Sequence, residues 1–338
     1  MTVPTGVLSA PAPPRDVVAT LALPRWPVSR RLVRRLLLLM GGLFAVNLLL
    51  PQIEQTGATG RALMSADWAW IAAVVLASAL TYLAAAVALI GAAGRRLPLR
   101  RTWAAQVAAA FTNRLAPAGI GGMATNVRYL EHAGDRRSEA VAAVGLNSVA
   151  GFLVHLIGVI AVVPLLGATH AQLRLSGPDL PDNWFVLVGV VGAMAGLGLV
   201  HWGGVLRRRA LPPIRDGLEA LATTMRNPRA GLALIGGSIG VTAGYALALV
   251  AAAHAVGAGL PVATITAVYL GAAAVAAAAP TPGGLGALEA ALVAGLTATG
   301  AASGPAIAAV LVYRLVTFWL PILPGFVAFR TLRRDGAL

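Results

Sequence analysis

Runs of apolar residues separated by short polar segments follow one another along most of this chain of 338 residues. Several runs approach the ~20 residues that a helix needs to cross the hydrocarbon core of a bilayer. The pattern predicts an all-α polytopic membrane protein with about six full transmembrane helices, at 36–50, 69–92, 138–167, 184–204, 231–257 and 305–329.

Two further apolar blocks do not fit a single crossing. The block at 103–121 is short and ends in APAGIGG, and the block at 262–300 is too long for one span and too short for two. Because proline and glycine break helices, each block is predicted to form a re-entrant hairpin, at about 103–133 and 262–300.

The breaks in these blocks have nearly the same sequence. Residues 117–121 read PAGIG and residues 282–286 read PGGLG, 165 positions apart. The same shift superposes the spans on either side of each break, 71–92 on 236–257 and 141–167 on 306–332.

This correspondence predicts two membrane repeats, 30–167 and 184–334, after a loosely ordered cytoplasmic tail at 1–29. With three spans in each repeat, the hairpins enter from opposite sides, so the repeats are inverted. A pair of ordinary kinked packing helices is the alternative, since membrane helices often carry glycine and proline.

Composition agrees with a membrane location. Hydrophobic residues make up 58% of the chain and charged residues 11%, which is too little charge to cover a soluble domain of this length. The absence of cysteine excludes disulfides and thiolate metal sites. No H-E-x-x-H, carboxylate-pair or Walker-type motif occurs, so no metal or other cofactor is expected.

Arginine, which supplies all 26 basic residues, predicts the orientation. With both irregular blocks as hairpins, the segments on one side hold 21 arginines, and the loops on the other side hold only Arg61 and Arg174. The positive-inside rule then places both termini in the cytoplasm, and the plasma membrane is the expected location. Because the basic clusters flank spans, nucleic acid is not expected as a partner despite the net charge of +14.

The broken helices contain the first candidate substrate-binding residues. Ends of half-helices present unpaired backbone N–H groups to a cavity, which suits an anionic group such as phosphate. The candidates on this ground are Pro117, Gly119, Gly121, Gly122, Pro282, Gly283, Gly284 and Gly286.

Two charged residues near the second break are further candidates. Glu289 is the one acidic residue well inside an apolar block, and Arg314 lies deep in the span that begins near Pro305. Both need partners away from lipid. Arg314 is the candidate clamp for a lipid phosphate, and Glu289 is a candidate proton or headgroup site. A purely structural ion pair between them is the alternative.

Polar residues near the first break are weaker candidates. Arg128, with Asn126, follows the first break about where Glu289 follows the second, which suggests a second phosphate ligand. Anchoring of the hairpin at the interface would also explain Arg128. Asn113 and Arg114 precede the break and are candidates to cap or line it.

The sequence GGSIG at 236–240 matches the serine nucleophile elbow, but it lies within a predicted helical span. Gly236, Gly240 and Gly244 are instead predicted to form a stripe for close helix packing. No catalytic residue is predicted, and the protein is not expected to be an enzyme.

The segments NRLAPAGIGGMATNVRYLEHAG and APTPGGLGALEAAL, the latter followed by YRLVTFWLPILPG, resemble the signature regions of the lysylphosphatidylglycerol synthase transmembrane, or flippase-like, family. The resemblance runs from about residue 36 to 334, and its Tyr-Arg step adds Tyr313 to the candidate site. It implies a lipid translocation domain with re-entrant helices at its centre.

Two departures from that family are visible. The best-known members continue into a domain that transfers lysine from tRNA to lipid, which is not expected here because the chain stops at Leu338. Many relatives carry an acid where this chain has Gly122 and Met123, so the charge of the first hairpin differs.

Two functions therefore stay open. The first is a flippase-like transporter that moves an anionic phospholipid or lipid-linked headgroup between leaflets. The second is a non-transporting membrane subunit or lipid-binding partner of a separate headgroup-modifying enzyme. Membrane lipids are the expected partners in both, and the sequence does not indicate an oligomeric state.

Overall fold

A computed structural model of the chain describes residues 56–115, 120–173, 224, 226–278 and 285–338. All regular structure within these ranges is helical. The helices are α1 (Thr56–Met64), α2 (Trp68–Ala93), α3 (Leu99–Leu115), α4 (Ile120–His132), α5 (Arg137–Leu173), α6 (Pro228–Ala255), α7 (Val262–Ala278), α8 (Ala287–Ala298), α9 (Ser303–Arg314) and α10 (Ile322–Arg334), with one π-helical turn (Leu315–Trp319) between α9 and α10.

Four helical stretches in the described residues are long and apolar enough to cross a membrane. They are Trp68–Ala93, Arg137–Val162, Pro228–Ala255 and Ser303–Arg334. These stretches match four predicted spans, because a long uninterrupted apolar run leaves the chain no other way to satisfy its backbone in lipid. The predicted spans at 36–50 and 184–204, like the tail, lie outside the described residues.

Helices α2 and α6 run antiparallel and pack along much of their length. The N–H of Asp67, at the start of α2, donates to the carbonyl of Ala255, at the end of α6, at 2.9 Å. The backbones approach so closely that a Cβ on Gly237 would lie 2.4 Å from the nitrogen of Ala88. Only glycine permits this contact, as in other small-residue interfaces between membrane helices.

The predicted glycine stripe is wrong at one position. Gly240 and Gly244 face α2, but Gly236 faces open space and Gly237 makes the contact. The reason is helical geometry: positions 237, 240 and 244 follow the i, i+3, i+7 spacing of one face, whereas steps of four residues drift around the helix.

Each irregular block folds into two short antiparallel helices. In the first pair, α3 and α4, the hydroxyls of Thr102 and Tyr129 lie 2.9 Å apart, and Gln106 Nε2 donates to Asn126 Oδ1 at 3.1 Å. In the second pair, α7 and α8, Gly295 lies against Val268. The turn residues 116–119 and 279–284 lie outside the described residues.

The chain enters the two helical hairpins at opposite ends of the α2–α6 pair. Helix α3 follows the C-terminal end of α2, where Gly94 adopts a left-handed φ of 64°. Helix α4 returns to that end, since Arg95 Nη2 donates to the carbonyl of Ala133 at 2.9 Å. Helix α7 follows the C-terminal end of α6, which is the other end because α2 and α6 are antiparallel.

Each hairpin also packs on a helix from the other half of the chain. Gly325 of α10 lies against Val107 and Phe111 of α3. In the reciprocal contact, Gly158 of α5 lies against Leu270 of α7.

Arginines gather at one end of the described helices. This end includes the loop after α2, the loop after α4, the start of α6 and the end of α10, where Leu332 packs in the same cluster as Leu97. Its arginines are Arg95, Arg96, Arg100, Arg101, Arg136, Arg137, Arg226, Arg229, Arg330, Arg333 and Arg334. Arg61 of α1 lies at the opposite end, near the start of α9, where Ala58 contacts Gly304.

Candidate functional site

A cavity of about 220 Å³ lies where the two hairpins meet the π-helical turn. Its wall is formed by α3 of the first hairpin, α7 and α8 of the second, the π-helical turn, and helices α6 and α9. The lining residues are Ala110, Asn113, Arg114, Tyr245, Tyr269, Ala273, Leu288, Tyr313, Arg314, Thr317 and Phe318. Its volume lies below the ~300–1,000 Å³ of pockets that enclose whole drug-sized ligands.

Glu289 and Arg314 form a largely buried ion pair beside this cavity. Arg314 Nε donates to Glu289 Oε1 at 2.7 Å, and the two side chains are 6% and 25% exposed. Glu289 Oε2 accepts from the N–H of Gly286 at 2.9 Å, which is the carboxylate half of a capping box at the start of α8. The expected ion pair between Glu289 and Arg314 is confirmed. The carboxylate also fixes the beginning of α8, the second helix of the hairpin.

The described glycines of the two motifs serve the hairpins themselves. Gly286 has a φ of 83°, which L side chains rarely adopt, and its N–H is donated to Glu289. Gly121 touches α3 so closely that a Cβ would lie 2.1 Å from the carbonyl oxygen of Thr112. The N–H of Gly122 points to Asn113 Oδ1 at 3.4 Å. None of these three glycines lines the cavity.

Five other candidates of the two motifs lie outside the described residues: Pro117, Gly119, Pro282, Gly283 and Gly284. Their proposed contact with a substrate stays a prediction.

Arg114 is a buried cation in the cavity wall, with 8% of its surface exposed. Its Nε donates to the carbonyl of Phe318 at 2.7 Å and its Nη2 to the carbonyl of Thr317 at 3.0 Å, while Nη1 donates to Ala110. No carboxylate of the described residues forms an ion pair with it. Arg114 thus ties the first hairpin to the π-helical turn by charge-assisted hydrogen bonds.

The local sequence explains why Thr317 can accept this bond. In a regular helix its carbonyl would accept from the N–H four residues later, but that residue is Pro321, which has no N–H. The chain passes through a π-helical turn at this point, with the N–H of Leu320 donating to Leu315 at 2.8 Å. The guanidinium of Arg114 therefore donates to a carbonyl that has no backbone N–H four residues later, because that residue is proline.

Aromatic rings cover much of the remaining wall. Tyr245 and Tyr269 stack at 6.5 Å between centroids, and Tyr269 meets the edge of Tyr313 at 6.4 Å. The ring of Phe318 lies under both guanidinium groups, at 4.8 Å from Arg114 and 4.4 Å from Arg314. Such contacts favour a cation that has been removed from water.

The sequence did not mark the polar and aromatic lining residues Tyr245, Tyr269, Thr317 and Phe318 as candidates. They lie on three separate segments and belong to no local motif. A polar or aromatic residue at mid-depth of an apolar block is the one signal that would have marked the tyrosines.

The structure does not bring Arg128 and Asn126 to the cavity. Asn126 is buried between the limbs of the first hairpin, and Arg128 is exposed. The shift of 165 positions places Glu289 over Ala124, one helical turn before Arg128, so the two charged residues are not equivalent. Tyr313, by contrast, lines the cavity beside Arg314.

The serine of the GGSIG sequence lies within a helix, as expected, and not at a turn between a strand and a helix. Ser238 lies within α6, is buried, and donates to the carbonyl of Leu234 at 2.8 Å. His155 of α5 is another polar residue within a span, and its Nε2 lies in hydrogen-bond contact with the carbonyl of Leu270 of α7 at 3.2 Å.

Four apolar helices of spanning length and two helical hairpins around a charged cavity define a multi-pass membrane protein. Residues 33–325 match the family model described as the lysylphosphatidylglycerol synthase TM region, and the chain belongs to that family. The family is a membrane domain connected with lipid handling. A comparison with curated proteins finds no match.

Proposed function

We propose that this protein is a flippase-like transporter that moves an anionic phospholipid, or an anionic headgroup carried on a lipid, between leaflets. The observation that carries the proposal is the cavity between the two hairpins, with the guanidinium groups of Arg114 and Arg314 in its wall. Guanidinium binds phosphate through paired N–H donors, and in a wall of aromatic and apolar residues this attraction is weakly screened.

We further propose six full spans and two re-entrant hairpins arranged as inverted repeats. Three features support this arrangement. Helices α2 and α6, which the shift of 165 positions pairs, run antiparallel. The hairpins open at opposite ends, and their contacts with α10 and α5 are reciprocal. A transporter built in this way places its substrate site where the two broken segments meet.

The arginine-rich end is proposed to face the cytoplasm, with the protein in the plasma membrane. Eleven of the described arginines support this orientation, because positive charge is retained on the cytoplasmic side of spans. Both termini then lie in the cytoplasm. One hairpin reaches the cavity from the cytoplasmic face of the membrane and the other from the opposite face.

The second candidate is a lipid-binding partner that moves nothing by itself. The description of the family as a region of a lipid synthase favours it, since a separate enzyme would then modify the bound headgroup. In either case the protein is proposed to carry out no bond-making step of its own.

Reconstitution tests the proposal. The purified full chain is placed in vesicles with fluorescent phosphatidylglycerol, and a membrane-impermeant reductant bleaches the label in the outer leaflet. We expect bleaching to continue into the inner-leaflet pool, whereas protein-free vesicles retain that pool. Vesicles that bind the lipid through the protein but retain the inner pool would support the second candidate and contradict transport.

A further inference from the structure

We infer that the π-helical turn at Leu315–Trp319 is a hinge about which the first hairpin and α10 move against the second hairpin and α9. This inference rests on the proposed function, because it names the movement that opens and closes the cavity of the transporter. Three features of the described residues support it: the hydrogen bonds of the turn, the packing of α9 and α10, and the position of the cavity.

The turn lacks backbone donors at the positions where a continuous helix would supply them. Pro321 has no N–H, so no backbone donor stands four residues after Thr317 or five residues after Val316, the spacings of α-helical and π-helical bonds. Ser78 Oγ of α2 donates to the carbonyl of Val316 at 3.5 Å. Arg114 Nη2 of α3 donates to the carbonyl of Thr317 at 3.0 Å. Because side chains of other helices replace the backbone donors, the chain can bend here with little loss of backbone hydrogen bonding.

Helix α10, which follows the turn, packs on the first hairpin. Gly325 lies so close to α3 that a Cβ would be 2.8 Å from the carbonyl oxygen of Val107. The ring of Phe111 meets the rings of Phe326 and Phe329 at 5.6 and 6.1 Å between centroids. These contacts join α10 and the first hairpin into one packed unit.

Helix α9, which precedes the turn, is bonded to the second hairpin. Arg314 Nε donates to Glu289 Oε1 of α8 at 2.7 Å. The ring of Tyr313 meets that of Tyr269 of α7 at 6.4 Å between centroids. Leu292 of α8 is buried in the same apolar cluster as the inner face of α9. The two halves of one span are thus held by different hairpins, and the π-helical turn lies between them.

The cavity lies at this junction. Ala110, Asn113 and Arg114 of the first hairpin form one part of its wall, and residues of α7, α8 and α9 form another. Rotation about the turn therefore changes the separation of these two parts. In hinged proteins a few residues absorb the change in backbone angles while the packed elements on either side move as units. The alternative is a static kink that only fits the helix to its neighbours.

Distances between spin labels distinguish a hinge from a static kink. The first labelled pair, Met123→Cys of α4 with Ala294→Cys of α8, reports the separation of the hairpins, and both positions are exposed. The second pair, Leu76→Cys of α2 with Leu247→Cys of α6, reports the antiparallel pair and is also exposed. In the full chain in phosphatidylglycerol vesicles, we expect two populations of distance for the first pair and one for the second. One narrow distance for both pairs would overturn the inference.

Pro321→Ala should remove the hinge. The change supplies the N–H that a regular helical bond to the carbonyl of Thr317 needs, and it raises helix propensity. We expect the hairpin pair to narrow to one distance and the translocation rate to fall roughly tenfold, since changes at a hinge alter turnover without contact with the site. The melting temperature should not fall, which separates this effect from a loss of fold.

The matched control is Pro305→Ala. Pro305 lies in the first turn of α9, where a backbone N–H has no partner within the helix. This change should leave both populations and the translocation rate as they are. Two populations that persist in Pro321→Ala, or an equal change in Pro305→Ala, would contradict the hinge. If Pro321→Ala yields no folded protein, the distances measured with Pro321 in place still decide the question.

Movement and transport can fail separately. If lipid is translocated while the hairpin pair shows a single distance, the hinge fails and the transporter proposal stands. If two distances are seen and no lipid is moved, the transporter proposal fails and the hinge stands.

Discussion

The buried charges illustrate how far single residues can be interpreted from sequence. Glu289 and Arg314 were predictable as partners, because each is a charge deep in an apolar block and an isolated charge there is costly. Arg114 was not, because its partners are the carbonyls of Thr317 and Phe318, two hundred residues away in sequence. One of these acceptors exists because of Pro321, an effect that no charge pattern records.

Breaking the ion pair from the carboxylate side should be destabilising. Glu289→Gln leaves Arg314 without its counter-charge, and we expect a loss of about 3 kcal/mol in unfolding free energy, the lower end for a broken buried pair because Glu289 is 25% exposed. The melting temperature of the purified protein measures this effect. Transport should fall further than the yield of folded protein.

The matched control is Glu139→Gln. Glu139 pairs with Arg136 at 3.2 Å, but the side chains are 53% and 85% exposed, so the pair contributes little. Equal melting temperatures for the Glu289 and Glu139 variants would show that the buried pair is not a structural element.

At the level of elements, apolar length predicted the four described spans, and proline with glycine predicted both hairpins. The contact face of a helix was harder to predict. A stripe of Gly236, Gly240 and Gly244 looked adequate in sequence, yet Gly237 makes the closest contact with α2. Several glycines of α6 lie close together, so only the position of α2 decides which of them must lack a side chain.

Two neighbouring glycines provide a direct test of this helix contact. Gly237→Ala would place a Cβ 2.4 Å from the backbone of Ala88 and should separate α2 from α6, costing about 1–3 kcal/mol or more through overpacking. Gly236→Ala meets open space and should be neutral, or stabilising by up to ~1 kcal/mol through helix propensity. The yield and melting temperature of folded protein in detergent measure both. Similar behaviour of the two variants would contradict the assigned interface.

At the level of the whole molecule, the repeat of one five-residue motif predicted the element order on both sides of it. The cavity itself was not predictable, because its wall combines six helical segments that only the folded chain brings together. The gathering of arginines at one end followed from their positions in the sequence once the hairpins were recognised.

Cysteine labelling tests the proposed orientation and is straightforward because the chain has no cysteine of its own. Single cysteines in 93–102 and 205–230 should react with an impermeant thiol reagent only after the membrane is permeabilised. Cysteines in 54–60 and 170–180 should react in intact cells. Labelling of 205–230 from outside would contradict the inverted arrangement.

The most direct test of the central claim is to close the cavity reversibly between the two hairpins. Asn113 of α3 and Leu288 of α8 both line it, so cysteines at these positions are joined by a short bifunctional thiol reagent with a cleavable disulfide. The account predicts that lipid translocation in vesicles stops on cross-linking and returns on reduction, while each single cysteine treated in the same way stays active. Undiminished translocation by fully cross-linked protein would show that lipid headgroups do not pass through this cavity.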